Sequence, residues 1–347
     1  MRPAFSVILL TTLIGAGQGL FLALVTVQSY ALVGLSPPVQ GSDWYVAGSV
    51  IALALLAAGL AASFAHLGRP ERAWRSAAQW RTSWLSREVI VLPLFMGAVA
   101  LYGLLHWLGW APVLAIPAQG REIDLTLAVG AVGTLLAFAL FVCTGMIYAC
   151  LPFLAEWHTA LTPINYTLLG GASGFTLSAG LASALEPQQA GLLAGWAIVL
   201  TALGAIGRIA SLVRNARLRP KSTIQSAIGV KHPVVVQRAM GFMGGSFNTR
   251  EFFHGTSPRR FRAVRPAFIV LAFVAPLALL TAGRPAPSAV LLFAAFAVQY
   301  IGLLAERWYF FAQARHPQNL YYQAVSWDAY NYGLPTKLLD EWLIGFP

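Results

Sequence analysis

The chain has 347 residues, of which 58% are hydrophobic and only 10% are charged, and its formal net charge is +11 at pH 7. Soluble globular domains average about 25% charged residues, so this composition excludes an ordinary soluble protein. Two cysteines are too few to ligate an iron–sulfur cluster. We therefore expect an integral membrane protein without an iron–sulfur cluster of its own.

Eight apolar stretches run through the chain, each close to the roughly 20 residues that a helix needs to cross a hydrocarbon core. The stretches lack the two-residue alternation of a transmembrane barrel, and backbone groups in lipid must pair internally. We predict an all-α, polytopic integral membrane protein with eight transmembrane helices in two four-helix groups, forming a single membrane domain over residues 1–347. The predicted spans cover residues 5–34, 45–65, 89–110, 124–151, 164–185, 190–212, 266–283 and 288–306.

The first stretch is too long for the core of a signal peptide and shows no convincing cleavage site, so we expect this helix to be retained. Its Gly15 and Gly19 form a pair of small residues four apart, which allows close contact between two helices. We expect Gln18, between them, to hydrogen-bond to a neighbouring helix.

The connection between the second and third stretches contains the sequences HLGRP at residues 66–70 and SWLSRE at residues 83–88. Ionisable residues at a membrane boundary are costly to keep there, which makes them candidates for a functional site. His66 ends the second span and Glu88 begins the third, so both are predicted at one membrane face. The alternative is an interfacial loop in which Trp and Arg mark the headgroup level.

His66 and Glu88 suit the chemistry of a quinone, which takes up electrons and protons at one ring. Histidine titrates near neutral pH, and a carboxyl group partly removed from water binds its proton more tightly. Because adjacent helices pack about 8–10 Å apart, one ring can bridge both side chains. We predict these two as catalytic residues; whether Arg87 or Arg69 holds Glu88 ionised, or instead faces phosphate groups, stays open.

The basic residues are distributed very unevenly between the two membrane faces. We call the face that bears the N-terminus side A and the opposite face side B. Side A is predicted to carry 21 of the 23 Lys and Arg residues, and side B only Arg121 and Arg284. Since basic loops accumulate in the cytoplasm, we predict a bacterial inner-membrane protein with both termini and the His66 loop facing the cytoplasm.

Two long segments on side A are predicted to bind a partner protein: the loop at residues 214–265 and the C-terminal tail at residues 307–347. Both mix aromatic residues with arginine, a composition typical of protein interfaces. The alternative for the basic loop is contact with anionic lipid headgroups.

Other functional classes are disfavoured. No histidines face each other from within the predicted spans, so no haem is expected, and zinc spacing, a Walker loop and a dinucleotide fingerprint are absent. We expect membrane lipid but no nucleic acid as a partner. A transporter would place ionisable residues deep in several spans, whereas the predicted spans are nearly free of charge, with Asp124 and Glu306 near their ends.

The chain resembles the membrane anchor subunits of dimethyl sulfoxide reductase-type molybdoenzymes. The similarity includes the eight spans, the motifs at 66–70 and 83–88, TGMIYA at 144–149 and ERWYF at 306–310. It implies an anchor for an iron–sulfur electron-transfer subunit and a molybdopterin catalytic subunit that reacts with ubiquinone or menaquinone and holds no haem. It also implies a quinone site formed by His66, Gly68, Arg69, Trp84, Arg87 and Glu88.

The chain differs from the dimethyl sulfoxide reductase anchors in its predicted orientation, and this difference indicates a branch of that family. In dimethyl sulfoxide reductase the motif side faces the periplasm, whereas the basic residues here place it in the cytoplasm. That orientation, the long 214–265 segment and the sequence SAIGVKHP at 226–233 are similar to the cytoplasm-facing sulfite dehydrogenase anchors. The resemblance implies electron flow from sulfite to quinone. The alternatives are a quinol-oxidising anchor of a dimethyl sulfoxide or polysulfide reductase, and a purely structural anchor.

Overall fold

The computed structural model describes residues 1–65, 67–116, 122–219, 222–232, 234–235, 254–284 and 288–317. Within these residues, eight helices are long and apolar enough to cross a membrane. The membrane-crossing elements are α1 Phe5–Val33, α2 Asp43–Phe64, α3 Trp84–Leu108, α4 Leu125–Ala149, α5 Leu161–Leu185, α6 Pro187–Ala216, the seventh span Pro258–Gly283 and α10 Ala289–Ala312. The all-α, polytopic prediction is confirmed.

Shorter elements complete the described chain. A 3-10 helix, Pro70–Ala77, lies between α2 and α3, and an antiparallel pair of strands, β1 Val113–Ala115 and β2 Ile123–Asp124, precedes α4. Helix α7, Ile224–Ile228, follows α6. The seventh span consists of α8 Pro258–Ile269, a π-helical turn at Val270–Val274 and α9 Ala275–Gly283.

The spans form two rings of four helices. Each of α1 to α4 contacts the next, and α4 returns to α1; α5, α6, the seventh span and α10 close in the same way. The prediction of two four-helix groups is confirmed. Helices α1 and α5 join the rings and are largely buried, whereas most residues of the other six spans are half-buried or exposed. Outward-facing side chains such as Leu135, Ile206 and Val290 are large and apolar, as contact with lipid requires.

Glycines allow α1 and α5 to approach at backbone distance. Gly15 and Gly19 of α1 lie against Gly170 and Gly174 of α5. A Cβ atom on Gly174 would overlap the backbone of α1, which cannot move aside as a flexible side chain could. The prediction of a close helix contact at Gly15 and Gly19 is confirmed.

A side chain also links α1 to α4. The amide of Gln18 is buried and donates a hydrogen bond of 2.8 Å to the backbone carbonyl oxygen of Ala137. This bond confirms the prediction that Gln18 reaches a neighbouring helix, and it satisfies a polar group that lipid would leave without a partner.

Several helices extend further on side A than the predicted spans. Helix α3 begins at Trp84 because the Ser83 hydroxyl accepts a hydrogen bond from the Ser86 backbone N–H at 3.3 Å. Helix α6 continues to Ala216, and α10 continues to Ala312. The first turns of the seventh span use residues 258–265, which the sequence predicts as part of the loop.

The structure corrects the predicted positions of two basic residues. The sequence counts both Arg208, inside the predicted span 190–212, and Arg307, one residue beyond the predicted span 288–306, with the basic residues of side A, but both are buried inside helices. Hydropathy ends the last predicted span before Arg307, although a charge paired inside the bundle does not end the helix. Residues 236–253 of the predicted docking loop and 318–347 of the tail lie outside the described residues, so their docking role stays a prediction.

We expect Gly174→Ala to lower the unfolding temperature of the purified protein in detergent, because the added methyl group must push α5 away from α1. Overpacking of this kind costs about 1–3 kcal/mol. Gly97→Ala in α3 is the matched control, since a Cβ at Gly97 meets nothing within 4 Å. Equal unfolding temperatures for the two variants would contradict the backbone contact.

Candidate functional site

A cavity lies between the side-A ends of α1, α3, α4, α5 and α10. Its empty volume is about 460 Å³, including the part that opens to the outside. Small-molecule sites typically have mostly apolar walls and a few convergent polar groups. We call it the Glu88 cavity. It is lined by Leu10, Thr11, Thr12, Ile14, Gly15, Gln18, Glu88, Phe141, Thr144, Tyr166, Leu169, Gly170, Ser173, Leu303 and Arg307.

Glu88 places a carboxyl group in the wall of this cavity. It lies in the second turn of α3, and its side chain is only 7% exposed. The hydroxyl of Thr144, on α4, donates a hydrogen bond of 2.5 Å to Glu88 Oε1. None of the ion pairs among the described residues includes Glu88. The cavity therefore presents a desolvated carboxyl group held in place by one hydroxyl.

Arg87 does not neutralise its neighbour Glu88. Its Nε and Nη2 atoms donate to the carbonyl oxygens of Trp80 and Arg81 at 2.9 and 2.8 Å, and its guanidinium group lies over the Trp84 ring at 4.2 Å. Arg87 therefore fixes the end of the loop before α3. Of the alternatives that the sequence leaves open, an ion pair between Arg87 and Glu88 is not formed.

Four of the other predicted site residues are described, and none of them belongs to the cavity wall. Gly68 and Arg69 are exposed, Trp84 is half-buried, and neither these nor Arg87 lines the Glu88 cavity. His66 lies outside the described residues. The structure therefore brings one of the six predicted residues, Glu88, to the cavity, and the proposed roles of the remainder stay predictions.

A buried ionic cluster adjoins the cavity. The Glu306 carboxylate lies between two guanidinium groups, with Oε1 2.5 Å from Arg208 Nε and Oε2 2.5 Å from Arg307 Nε. All three side chains are at most 4% exposed. Arg307 also lies over the rings of Tyr166 and Phe310, at 4.2 and 4.9 Å from the ring centres. Stacking on aromatic faces and pairing with a carboxylate are the interactions that make a buried guanidinium tolerable.

Sequence reasoning misses this cluster and two other cavity residues, Thr144 and Tyr166. The available signal is the presence of Arg208 within an apolar stretch and of the Glu306–Arg307 pair at the end of another. Such charges inside a span mark a functional-site candidate. The partner of each charge lies on another helix, so the pairing itself leaves no pattern in the sequence.

The comparison with known proteins decides the family. Residues 1–312 match the family described as DMSO reductase anchor subunit (DmsC). The chain belongs to this family. The anchor subunit is also 55% identical over 326 residues to the C subunit of sulfite dehydrogenase from Allochromatium vinosum, and the match covers 94% of this chain and 100% of the relative. Both parts of the resemblance predicted from the sequence are confirmed: the anchor family and its sulfite dehydrogenase branch.

The family match contains all of the site described here. It ends at the last residue of α10, Ala312, so it covers both helix rings and the Glu88 cavity of the anchor subunit. Among the described residues, no three His, Cys, Asp or Glu side chains are grouped as ligands of a metal ion. The expectation that the anchor subunit carries no haem or iron–sulfur cluster stays a prediction.

We expect Glu306→Gln to destabilise the anchor subunit by about 3–5 kcal/mol, because it leaves two buried guanidinium groups without a counter-ion. Thermal or denaturant unfolding in detergent measures the effect. Glu71→Gln is the matched control: Glu71 pairs with Arg72 at 3.9 Å, but their side chains are 65% and 50% exposed. Such a surface pair contributes about 0–1 kcal/mol. A Glu306→Gln protein as stable as this control would contradict the ionic cluster.

Proposed function

We propose that the anchor subunit binds a quinone in the Glu88 cavity and transfers to it electrons from a partner iron–sulfur subunit. The observation that carries this proposal is a buried carboxyl group, with no ion pair among the described residues, in the wall of a mainly apolar cavity. The apolar lining from Leu10, Phe141, Leu169 and Leu303 suits the face of a hydrophobic ring.

The polar residues of the wall have distinct parts in this reaction. Reduction adds two electrons and two protons to the ring, and negative charge develops on the carbonyl oxygens. Glu88 in its protonated form donates a hydrogen bond and then a proton to one oxygen. Thr144 orients the carboxyl group, and the positive charge of Arg307 in the same wall stabilises the reduced ring.

His66 follows the end of α2 by two residues, and we propose it as the second group that bonds to the quinone. Gly68 and Arg69 belong to the loop on the same membrane face, and Trp84 and Arg87 belong to the first turn of α3 that follows it. We propose that they contribute from this loop and turn, and not from the cavity wall.

The name of the relative supports one direction of electron flow. A sulfite dehydrogenase removes electrons from its substrate, so we propose that electrons pass from sulfite, through a molybdopterin catalytic subunit and the iron–sulfur subunit, to the quinone. The name of the family supports the second candidate, a quinol-oxidising anchor of a terminal reductase. The Glu88 cavity suits quinone reduction and quinol oxidation equally.

We propose that side A faces the cytoplasm of the inner membrane and carries the two partner subunits. The excess of Lys and Arg on this side supports that orientation even when Arg208 and Arg307 are counted as buried. The Glu88 cavity is at the same end of the bundle, which shortens the path for an electron from the partner to the quinone.

We expect Glu88→Gln to reduce sulfite-dependent reduction of a soluble quinone analogue by about 10²-fold, because the amide cannot supply a proton. The measurement uses the complex purified with its native partners. Sulfite oxidation with a dye that accepts electrons from the iron–sulfur subunit should be unchanged, which shows that assembly persists. Glu122→Gln, an exposed side-B position, is the matched control.

Unchanged quinone reduction in the Glu88→Gln complex would remove Glu88 from the mechanism. An intact complex that ignores sulfite but oxidises quinol against a terminal acceptor would reverse the direction of the proposal and retain the cavity.

The orientation is tested by labelling single cysteines in intact cells with a maleimide that does not cross the membrane. In a background of Cys143→Ala and Cys150→Ala, we expect Leu35→Cys to react and Ala78→Cys to react only after the cells are broken. Both positions lie outside the predicted spans, on opposite membrane faces. Labelling of Ala78→Cys in intact cells would place side A in the periplasm.

A further inference from the structure

The chain that leaves the third span on side B is exposed and apolar. All ten residues from 107 to 116 are exposed, and none of them has a charged side chain. We call residues 107–116 the α3–β1 segment. Its large apolar side chains are between 45% and 68% exposed: Trp107, Leu108, Trp110, Val113, Leu114 and Ile116. A contiguous apolar patch of this kind marks a surface that contacts a partner or a membrane.

Hydrogen bonds hold the segment against the side-B ends of two helices. Gly109 takes a left-handed backbone conformation, with φ of 62°, and ends α3. The Trp110 backbone N–H then donates a hydrogen bond of 3.0 Å to the Leu105 carbonyl oxygen. The Leu125 N–H, at the start of α4, donates to the Pro112 carbonyl oxygen at 3.0 Å. The α3–β1 segment therefore has a fixed place at the end of the first helix ring.

The segment continues the lipid-facing surface of α3. Four leucines of this helix are 45–58% exposed: Leu94, Leu101, Leu104 and Leu108. Their spacing of seven, three and four residues places them on one face of the helix. Lipid that covers this face therefore reaches the α3–β1 segment where the helix ends, whereas a protein partner would have to displace that lipid.

The backbone of β1 excludes the hydrocarbon core as the place of the segment. Within the described part of the chain, β1 pairs along one edge only, with β2. The groups on its other edge have no strand partner, and hydrocarbon offers them no hydrogen bond. β1 is exposed at all three residues, whereas β2 is half-buried and leads into α4, so β1 is the outer strand. A layer that supplies both acyl chains and polar groups satisfies this strand.

Two tryptophans match that layer. Trp107 and Trp110 each combine a large apolar ring with one N–H donor, which is why tryptophan is enriched at membrane–water interfaces. The first charged residues after the segment, Arg121 and Glu122, come at least five positions beyond its end. The α3–β1 segment therefore offers neither the arginines nor the polar rim that are typical of a protein interface.

We propose that the α3–β1 segment lies in the headgroup layer of the side-B leaflet and binds phospholipid. Its apolar side chains contact acyl chains, and the free edge of β1 bonds to headgroups and water. The segment is thus an anchor that holds the end of α3 at one depth in the membrane.

This anchor also sets the depth of Glu88. Helix α3 is continuous from Trp84 to Leu108, and Glu88 and Trp107 are 19 positions apart. With a rise of about 1.5 Å per residue, they are about 29 Å apart along the axis, close to the roughly 30 Å thickness of a hydrocarbon core. Holding Trp107 at the side-B interface therefore holds Glu88 at the side-A boundary.

Photo-crosslinking in the native membrane identifies what covers the segment. Leu114→p-benzoyl-phenylalanine places a photoreactive ketone on the outer strand, where illumination of whole cells inserts it into nearby C–H bonds. We expect mass spectrometry of the purified anchor subunit to show phospholipid adducts. The matched controls are Leu135, 72% exposed in the middle of α4, and Gln40, exposed in the loop between α1 and α2. The same replacement should give lipid adducts at Leu135 and about tenfold fewer at Gln40.

Trp110→p-benzoyl-phenylalanine repeats the measurement with one aromatic residue in place of another. An unchanged unfolding temperature in detergent shows that each variant folds. A covalent dimer of the anchor subunit, or an adduct with another protein, would show that protein covers the segment and would overturn the proposal. No adduct at Leu114 and Trp110, with lipid adducts still formed at Leu135, would place the segment in water and would also overturn it.

Discussion

The contact between α1 and α5 determines where the rest of the bundle can lie. These two helices join the rings, and glycines at their contact bring one backbone against the other. Gly15 and Gly170 of this contact also line the Glu88 cavity. Side chains at those positions would separate the rings and also occupy the cavity. The packing of the membrane domain and the space inside the Glu88 cavity therefore depend on the same glycines.

A gain in folding stability does not explain why the chain has the ionic cluster of Arg208, Glu306 and Arg307. Replacing a buried ion pair with apolar residues of similar volume is often neutral or stabilising. Arg208, Glu306 and Arg307 stabilise one another, but an apolar contact at the same place would avoid the cost of removing three charges from water. Arg208 and Arg307 line a second, smaller cavity, and Arg208 Nη2 and Arg307 Nη1 have no hydrogen-bond partner among the described residues. Leucines could not place polar groups there.

The sequence predicts the features of the fold that depend on local pattern. Eight apolar stretches predict eight spans because hydropathy is a property of each segment alone, and Gly15, Gly19 and Gln18 are recognisable within one helix. The sequence predicts Glu88 as a site residue because it is the last residue of the SWLSRE motif at a membrane boundary. These features need no knowledge of which helices become neighbours.

The features that sequence reasoning misses depend on contacts between helices. Arg208 and Arg307 are predicted on the side-A surface, since hydropathy treats every charge as exposed; their burial depends on Glu306 of α10 reaching a residue of α6. Thr144 begins the TGMIYA sequence and Tyr166 lies in the fifth apolar stretch, but neither pattern indicates that the two residues line one cavity, which arises from packing between helices. Sequence motifs therefore identify functional residues near loops more easily than they identify a cavity between helices.

The position of the Glu88 cavity at one end of the bundle has a bioenergetic consequence. In the proposed function the iron–sulfur donor and the quinone are both at the side-A end, so an electron passed between them would not cross the low-dielectric layer. Moving one elementary charge across a membrane is worth about 2.3 kcal/mol per 100 mV. The proposed reaction, with its protons also taken from side A, would move no charge across the membrane and would be electroneutral. Its driving force is stored in the quinol pool and becomes a membrane potential only when another enzyme oxidises that quinol.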